Sequence, residues 1–225
     1  MEKAIAKIGE RYALNSWIFT GAGGCVMIYP IDHGTTMNVV AINSSVKSWD
    51  GPWVQTVPLD RVKSEFAGWG KIPSDIISIL DPEDTAAWSM WDHPPASTYH
   101  RGRTVMMGDA AHCSTPFQGQ GAGQAIEDGL ILSTVLGSIT SREDIALAFA
   151  AYDKVRRPRS LRITQTSREA GELCALRLPG VEDSKEAFRD NINWRMDWIW
   201  HRDVEGECRE SKLWLKKLQQ GESID

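Results

Sequence analysis

Residues 102–137, GRTVMMGDAAHCSTPFQGQGAGQAIEDGLILSTVLG, read as strand, glycine-rich loop, helix. Thr104 to Met107 is a short apolar run that ends at Gly108, with Asp109 immediately at the strand's end. The loop carries Pro116, Gly119, Gly121 and Gly123. From Ala122 to Leu136, small or apolar residues recur at helical spacing. Ala125, Gly129, Leu132 and Leu136 form one stripe, and Ala122, Ile126 and Leu130 lie beside it. A stripe that wide predicts a helix buried on most sides.

Such an arrangement suits an anionic or electron-rich ligand. The first N–H groups of a helix have no internal partner, and the helix dipole leaves positive charge there. Glycines just before the helix let a ligand lie against bare backbone. A carboxylate at the end of the preceding strand can accept hydrogen bonds from sugar-like hydroxyls. The glycine loop taken alone is equally compatible with a tight turn.

Outward from this stretch, the 225 residues are enough to bury a sizeable core as one large domain or two small ones. The net charge of −5 gives no footprint for nucleic acid. No apolar run approaches a membrane span, and Met1 to Ala13 lacks the apolar centre of a signal peptide. Cys25, Cys113, Cys174 and Cys208 are widely spaced, which predicts a reduced, cytoplasmic setting.

Upstream, Ile5, Ile8 and Tyr12 are spaced for one face of a short helix. Cys25–Tyr29 and Thr36–Asn43 read as an antiparallel hairpin around a turn of Pro30, Asp32, His33 and Gly34. Gly21–Gly24 reads as a plain turn that precedes a strand. Trp49 to Pro58 is a turn-rich connection. Leu59–Trp69 and Pro73–Leu80 predict helices, and the chain leaves helix at Pro94–Pro95. Trp88 and Trp91 read first as core residues. Downstream, Glu143–Arg157 predicts a helix with Ile145, Phe149 and Tyr152 buried. The run Arg156, Arg157, Arg159 and Arg162 reads as a solvated face broken by Pro158. Trp194, Trp198 and Trp200 read as packing anchors, and Glu205–Gln220 as a terminal helix. Glu127 and Asp128 fall where acids stabilise a helix start. A metal site built from Asp109, His112 and Cys113 lacks a fourth ligand and is disfavoured.

The full string is far more specific than its glycines. Gly108, Asp109, Ala110, Ala111, His112, Pro116, Gly119, Gly121, Glu127 and Asp128 together resemble the second flavin-binding motif of the FAD-dependent aromatic hydroxylases. These are the para-hydroxybenzoate hydroxylase-like flavoprotein monooxygenases, and the wording is closest to their salicylate hydroxylase-like branch. The resemblance runs from about Asn15 to Asp203. It implies an α+β chain within an α/β family: residues 1–100 as part of a substrate-domain sheet with connecting helices, 101–180 as the second half of an FAD-binding domain, and 181–225 as a helical tail. FAD is the implied cofactor and NAD(P)H the cosubstrate. The implied reaction uses O₂ to hydroxylate a small, phenolic aromatic substrate.

Residue by residue, the resemblance implies that Asp109, next to Gly108, holds ribityl hydroxyls. Backbone from Gly119 through Gln120, Gly121, Ala122 and Gly123 faces the flavin, and Pro116 sits beside the ring. His112 is a catalytic or loop-orienting candidate, its alternative being a hydrogen-bonded structural histidine. Tyr29 and Trp88 are candidates for the substrate side. Two family elements are missing from the sequence: the strand, G-x-G-x-x-G turn and helix of a Rossmann βαβ unit that grips the pyrophosphate and adenosine, and the Asp-Gly motif that precedes the substrate sheet. The expectation is therefore a C-terminal portion of such an enzyme, inactive by itself. The alternatives are a non-catalytic remnant with at most partial flavin or partner binding, or a scaffold unrelated to flavin.

Overall fold

The computed structural model describes residues 1–45, 49–181 and 184–223. It forms two compact units, Met1–Ser89 with Gly171–Lys185, and Met90–Ala170 with Glu186–Asp225. Helices and small antiparallel sheets make up both, in keeping with an α+β chain.

The first unit opens with helices α1 (Glu2–Ile8) and α2 (Glu10–Ala13). They are one expected helix divided at Gly9, whose φ of 79° belongs to glycine. Strands β1 (Trp17–Gly21), β2 (Gly24–Ile31) and β3 (Thr36–Asn43) follow as an antiparallel meander. The sheet thus has one strand more than the expected hairpin. Gly21–Gly24 is the expected turn ahead of a strand; it also follows β1 and closes the β1–β2 turn, with Gly21 opposite Gly24. A Cβ at Gly24 would lie 2.1 Å from the Ile42 carbonyl oxygen, so only glycine lets β2 and β3 approach there.

Alternation decides which face is inside. Val26 and Ile28 point into a core with Ala4, Ile8, Phe66, Ile76 and Ile77. Cys25, on the other face of β2, is also buried, and a hydrogen bond to Cys174 together with burial pushes its thiol well up. Strand β4 (Val54–Thr56) lies within the expected turn-rich connection and pairs with β5 (Ala86–Trp88). Between them come α3 (Leu59–Glu65) and α4 (Lys71–Ser78). The core reading of Trp88 and Trp91 is overturned: they are 73% and 45% exposed.

The second unit begins with the short hairpin β6 (His100–Arg101) and β7 (Thr104–Val105). The strand is shorter than the sequence suggests, and Asp109 does not end it. Asp109 instead opens a single helical turn, α5 (Asp109–His112). A 3₁₀ turn at Pro116–Gln118 leads to α6 (Gly121–Leu136). Helix α7 (Ile145–Cys174) runs straight through the expected break at Pro158. A proline inside a helix costs about 3 kcal/mol, yet the helix continues past it, with Arg156, Arg159 and Ser160 buried on either side. Helices α8 (Lys185–Trp200) and α9 (Val204–Gln219) complete the unit. Its core joins Tyr99, Ala111, Ile131, Val135, Ala148, Tyr152 and Leu215. Of the tryptophans expected to anchor packing, Trp194 and Trp200 are 44% and 66% exposed, while Arg162 stacks 4.0 Å from the centre of the Trp198 ring.

Candidate functional site

Helix α6 corrects the expectation of burial on most sides in an instructive way. Ile126 is 74% exposed and Leu130 is exposed, while Gln124 and Asp128 are buried. The polar residues point inward because Arg156 of α7, fully buried, stands behind them. Its Nε donates to Asp128 Oδ1 at 2.9 Å. Its Nη1 donates to Glu127 and to Glu207 of α9, and its Nη2 donates to the Gln124 carbonyl and side-chain oxygens. Arg159 grips Glu127 with two parallel bonds of 2.8 Å, and Arg202 pairs with Glu207 at 2.6 Å. The solvated reading of the arginine run therefore fails for Arg156 and Arg159. Buried ions require paired, hydrogen-bonded partners, and three carboxylates supply them.

Asp128 links this cluster to the glycine loop. Its Oδ2 accepts the Gly108 N–H at 2.8 Å and lies 2.6 Å from His112 Nε2. A carboxylate only accepts, so Nε2 carries the hydrogen. Burial by itself would raise the Asp128 pKa. The bonds from His112, the Gly108 amide and Arg156 outweigh it and hold the carboxyl below its ordinary range. Glu127 shows the same balance: burial opposes, and Arg159 and Arg156 prevail. The three carboxylates hold the Arg156 guanidinium above its ordinary value against its own burial.

Helix α7 also braces the loop directly. Thr164 donates to the His112 carbonyl, Ser167 to the Thr115 carbonyl, and Thr166 to the Gln118 side-chain oxygen. Tyr99, just ahead of the hairpin, bonds Ser160 at 2.7 Å. On the other side, His93 Nε2 lies 3.2 Å from both the Asp109 carbonyl and the Cys113 amide nitrogen.

The front of the loop is open. Among the described residues, no side chain caps the start of α6. A Cβ built on Gly119 or on Gly121 would meet nothing within 4 Å, and on Gly123 only Gln120 Oε1 at 3.5 Å. Gly119 adopts a left-handed φ of 62°, and Gly108 has φ 57°. Asp109 and Pro116 are exposed. The helix-start N–H groups, the bare backbone and the exposed Asp109 carboxylate at the start of α5 fit a ligand that combines an electron-rich ring edge with hydroxyl groups.

The expected cofactor residues Gly108, Asp109, Pro116, Gly119, Gln120, Gly121, Ala122 and Gly123 all belong to this loop and the first turn of α6. His112 is 3% exposed, with its ring turned inward to Asp128, a geometry for orienting the loop. Tyr29 and Trp88, 39% and 73% exposed, lie in the first unit on β2 and β5. The residues missed are the bracing ones: Arg156, Arg159, Thr164, Thr166 and Ser167. Arg156 and Arg159, and further on Thr164 and Ser167, are each three apart in this helix, a spacing that puts each pair on one face.

The hairpin, the braced glycine loop and the start of α6 all fall within residues 4–167, which match the family described as FAD binding domain. The chain belongs to that family. It is 43% identical over 212 residues to a 6-methylsalicylate 1-monooxygenase of Aspergillus terreus, across 94% of this chain and 47% of the relative. A salicylate hydroxylase of Pseudomonas putida is 35% identical over 205 residues, across 88% of this chain and 47% of the relative. Among solved structures, a salicylate hydroxylase substrate complex aligns with a TM-score of 0.86 at 34% identity, over 93% of this chain and 52% of that one. The chain spans about half the length of the curated relatives it matches.

Proposed function

We propose that this chain contributes the ribityl- and ring-binding side of an FAD-dependent, NAD(P)H-using monooxygenase that hydroxylates a small, salicylate-like phenol. The observation that carries the reading is the uncapped, unobstructed start of α6 behind Gly119, within the family match. In this reading Asp109 accepts the ribityl hydroxyls. The amides from Gln120 to Gly123 face the negative edge of the reduced ring, and Pro116 borders the side where O₂ and substrate meet. When bound, FAD supplies the redox chemistry, carrying electrons from NAD(P)H to O₂ and one oxygen atom to the ring. The chain's own part is placement and charge. Tyr29 and Trp88 are assigned to the aromatic substrate on the family resemblance of the sequence alone.

A second reading, flavin contact without turnover, is favoured by the sequence itself: no strand, G-x-G-x-x-G turn and helix occur in these 225 residues. Both readings are tested together. The chain is expected to purify without stoichiometric flavin, to bind added FAD weakly but saturably by fluorescence titration, and to consume no NAD(P)H with salicylate. Asp109→Ala should weaken the titration by roughly tenfold or more, the effect of losing bonds to a charged acceptor. An unchanged titration in that variant would remove Asp109 from the site. Substrate-dependent NAD(P)H consumption would show that these residues suffice for catalysis.

A further inference from the structure

We propose that Asp128 is the positioning residue of this site: its carboxylate sets where Gly108 and Asp109 stand against α6, and Arg156 holds that carboxylate. The functional consequence rests on the flavin reading above; the positioning itself rests on geometry alone.

One oxygen, Asp128 Oδ2, meets both ends of the α5 turn. It takes the amide of Gly108, the N-cap, at 2.8 Å and faces Nε2 of His112, the last helical residue, at 2.6 Å. A four-residue helix is too short to persist by its own backbone bonds, so its place is fixed from outside. A Cβ on Gly108 would stand 3.4 Å from the Ala125 Cβ, which seats the turn against the first turns of α6. Asp109 is the next residue, and the position of its carboxylate follows from the Gly108 peptide.

The other oxygen of Asp128 cannot drift, because the guanidinium holding it is itself bonded to Glu127, Glu207 and two oxygens of Gln124. A continuous chain of charged bonds thus runs from α9 through α7 and α6 to α5. Within it His112 acts as a donor that Asp128 grips, and any group offering an N–H at the Nε2 position would serve. This separates a positioning role from acid–base use of the imidazole.

The test combines hydrogen exchange at the Gly108 amide with FAD titration, on the whole chain and on Asp128→Asn, His112→Gln and His112→Leu. In Asp128→Asn the Gly108 amide should exchange about tenfold faster or more, and FAD binding should weaken by about as much. The amides of β1 to β3 should keep their protection. His112→Leu should follow Asp128→Asn, and His112→Gln should restore what His112→Leu loses. The two His112 variants leave the Asp128–Arg156 pair in place and decide the matter if Asp128→Asn does not fold. Unchanged Gly108 protection would overturn the proposal. So would faster exchange with FAD affinity intact, or equal losses in the Gln and Leu variants. Absence of saturable FAD binding by the unaltered chain would instead refute the flavin reading, and exchange at Gly108 would still judge the positioning.

Discussion

At the scale of single residues, Arg156 carries the greatest consequence. It is fully buried among Glu127, Asp128 and Glu207. Replacing it with Met removes the buried cation these carboxylates share, leaving Glu127 to Arg159, Glu207 to Arg202 and Asp128 to Gly108 and His112, which should cost about 3–5 kcal/mol of stability in urea or thermal unfolding. Arg177→Ala, which breaks a half-exposed pair with Glu172, should cost about 1 kcal/mol or less. Acid should act on the same cluster. Asp128 and Glu127 are held below their ordinary range when folded, so the unfolded chain binds more protons as the pH drops. Their stabilising contribution is present above about pH 4 and is lost as the pH falls through the lower folded values. Circular dichroism against pH should show this loss, reduced in Asp128→Asn. The glycine-rich loop ahead of α6 was legible in the sequence because Pro116, Gly119 and Gly121 announce it locally. Arg156 was not, since arginines clustered this closely look solvated until the carboxylates that bury two of them are placed.

At the scale of elements, α6 was legible as a helix from Gly121 to Leu136, but not the direction it faces. Periodicity places apolar residues on a stripe; it cannot foresee that a buried guanidinium turns Gln124 and Asp128 inward and leaves Ile126 outside. The glycines at its start separate stability from function. Gly119 sits at a left-handed φ of 62° with open space where a side chain would stand, so Gly119→Ala should destabilise by about 1 kcal/mol from backbone strain alone. Gly121 lies in the first helical turn with equal space, so Gly121→Ala should leave thermal stability unchanged or raise it by up to about 1 kcal/mol. The same methyl group would stand where the flavin edge is proposed to rest, so FAD titration should weaken. A loss of stability in Gly121→Ala, or undiminished flavin contact, would contradict that placement.

At the scale of the whole molecule, the described residues form two cores with no shared member, one around Ile76 and Val26, the other around Ile131 and Tyr152. Ile76→Ala and Ile131→Ala should each cost about 2–5 kcal/mol, and the double variant should equal their sum within about 0.5 kcal/mol. The α+β character was legible from the strand runs and helical stripes. The composition of the units was less so: residues 171–185 join the first unit far along the chain from its other members, and local sequence does not announce such a return. The braces from α7 to the glycine loop have a consequence in time. Thr164 and Ser167 each reach back 52 residues, to His112 and Thr115. At synthesis rates of about 5–20 residues per second, the loop leaves the ribosome roughly 3–10 s before the helix that shapes it. Until then its glycines belong to an unbraced segment, and the cradle forms only when translation has passed α7. A ribosomal pause between Gln120 and Thr164 should therefore lengthen the interval in which a nascent chain is open to proteases at this loop and nowhere near able to receive a ligand.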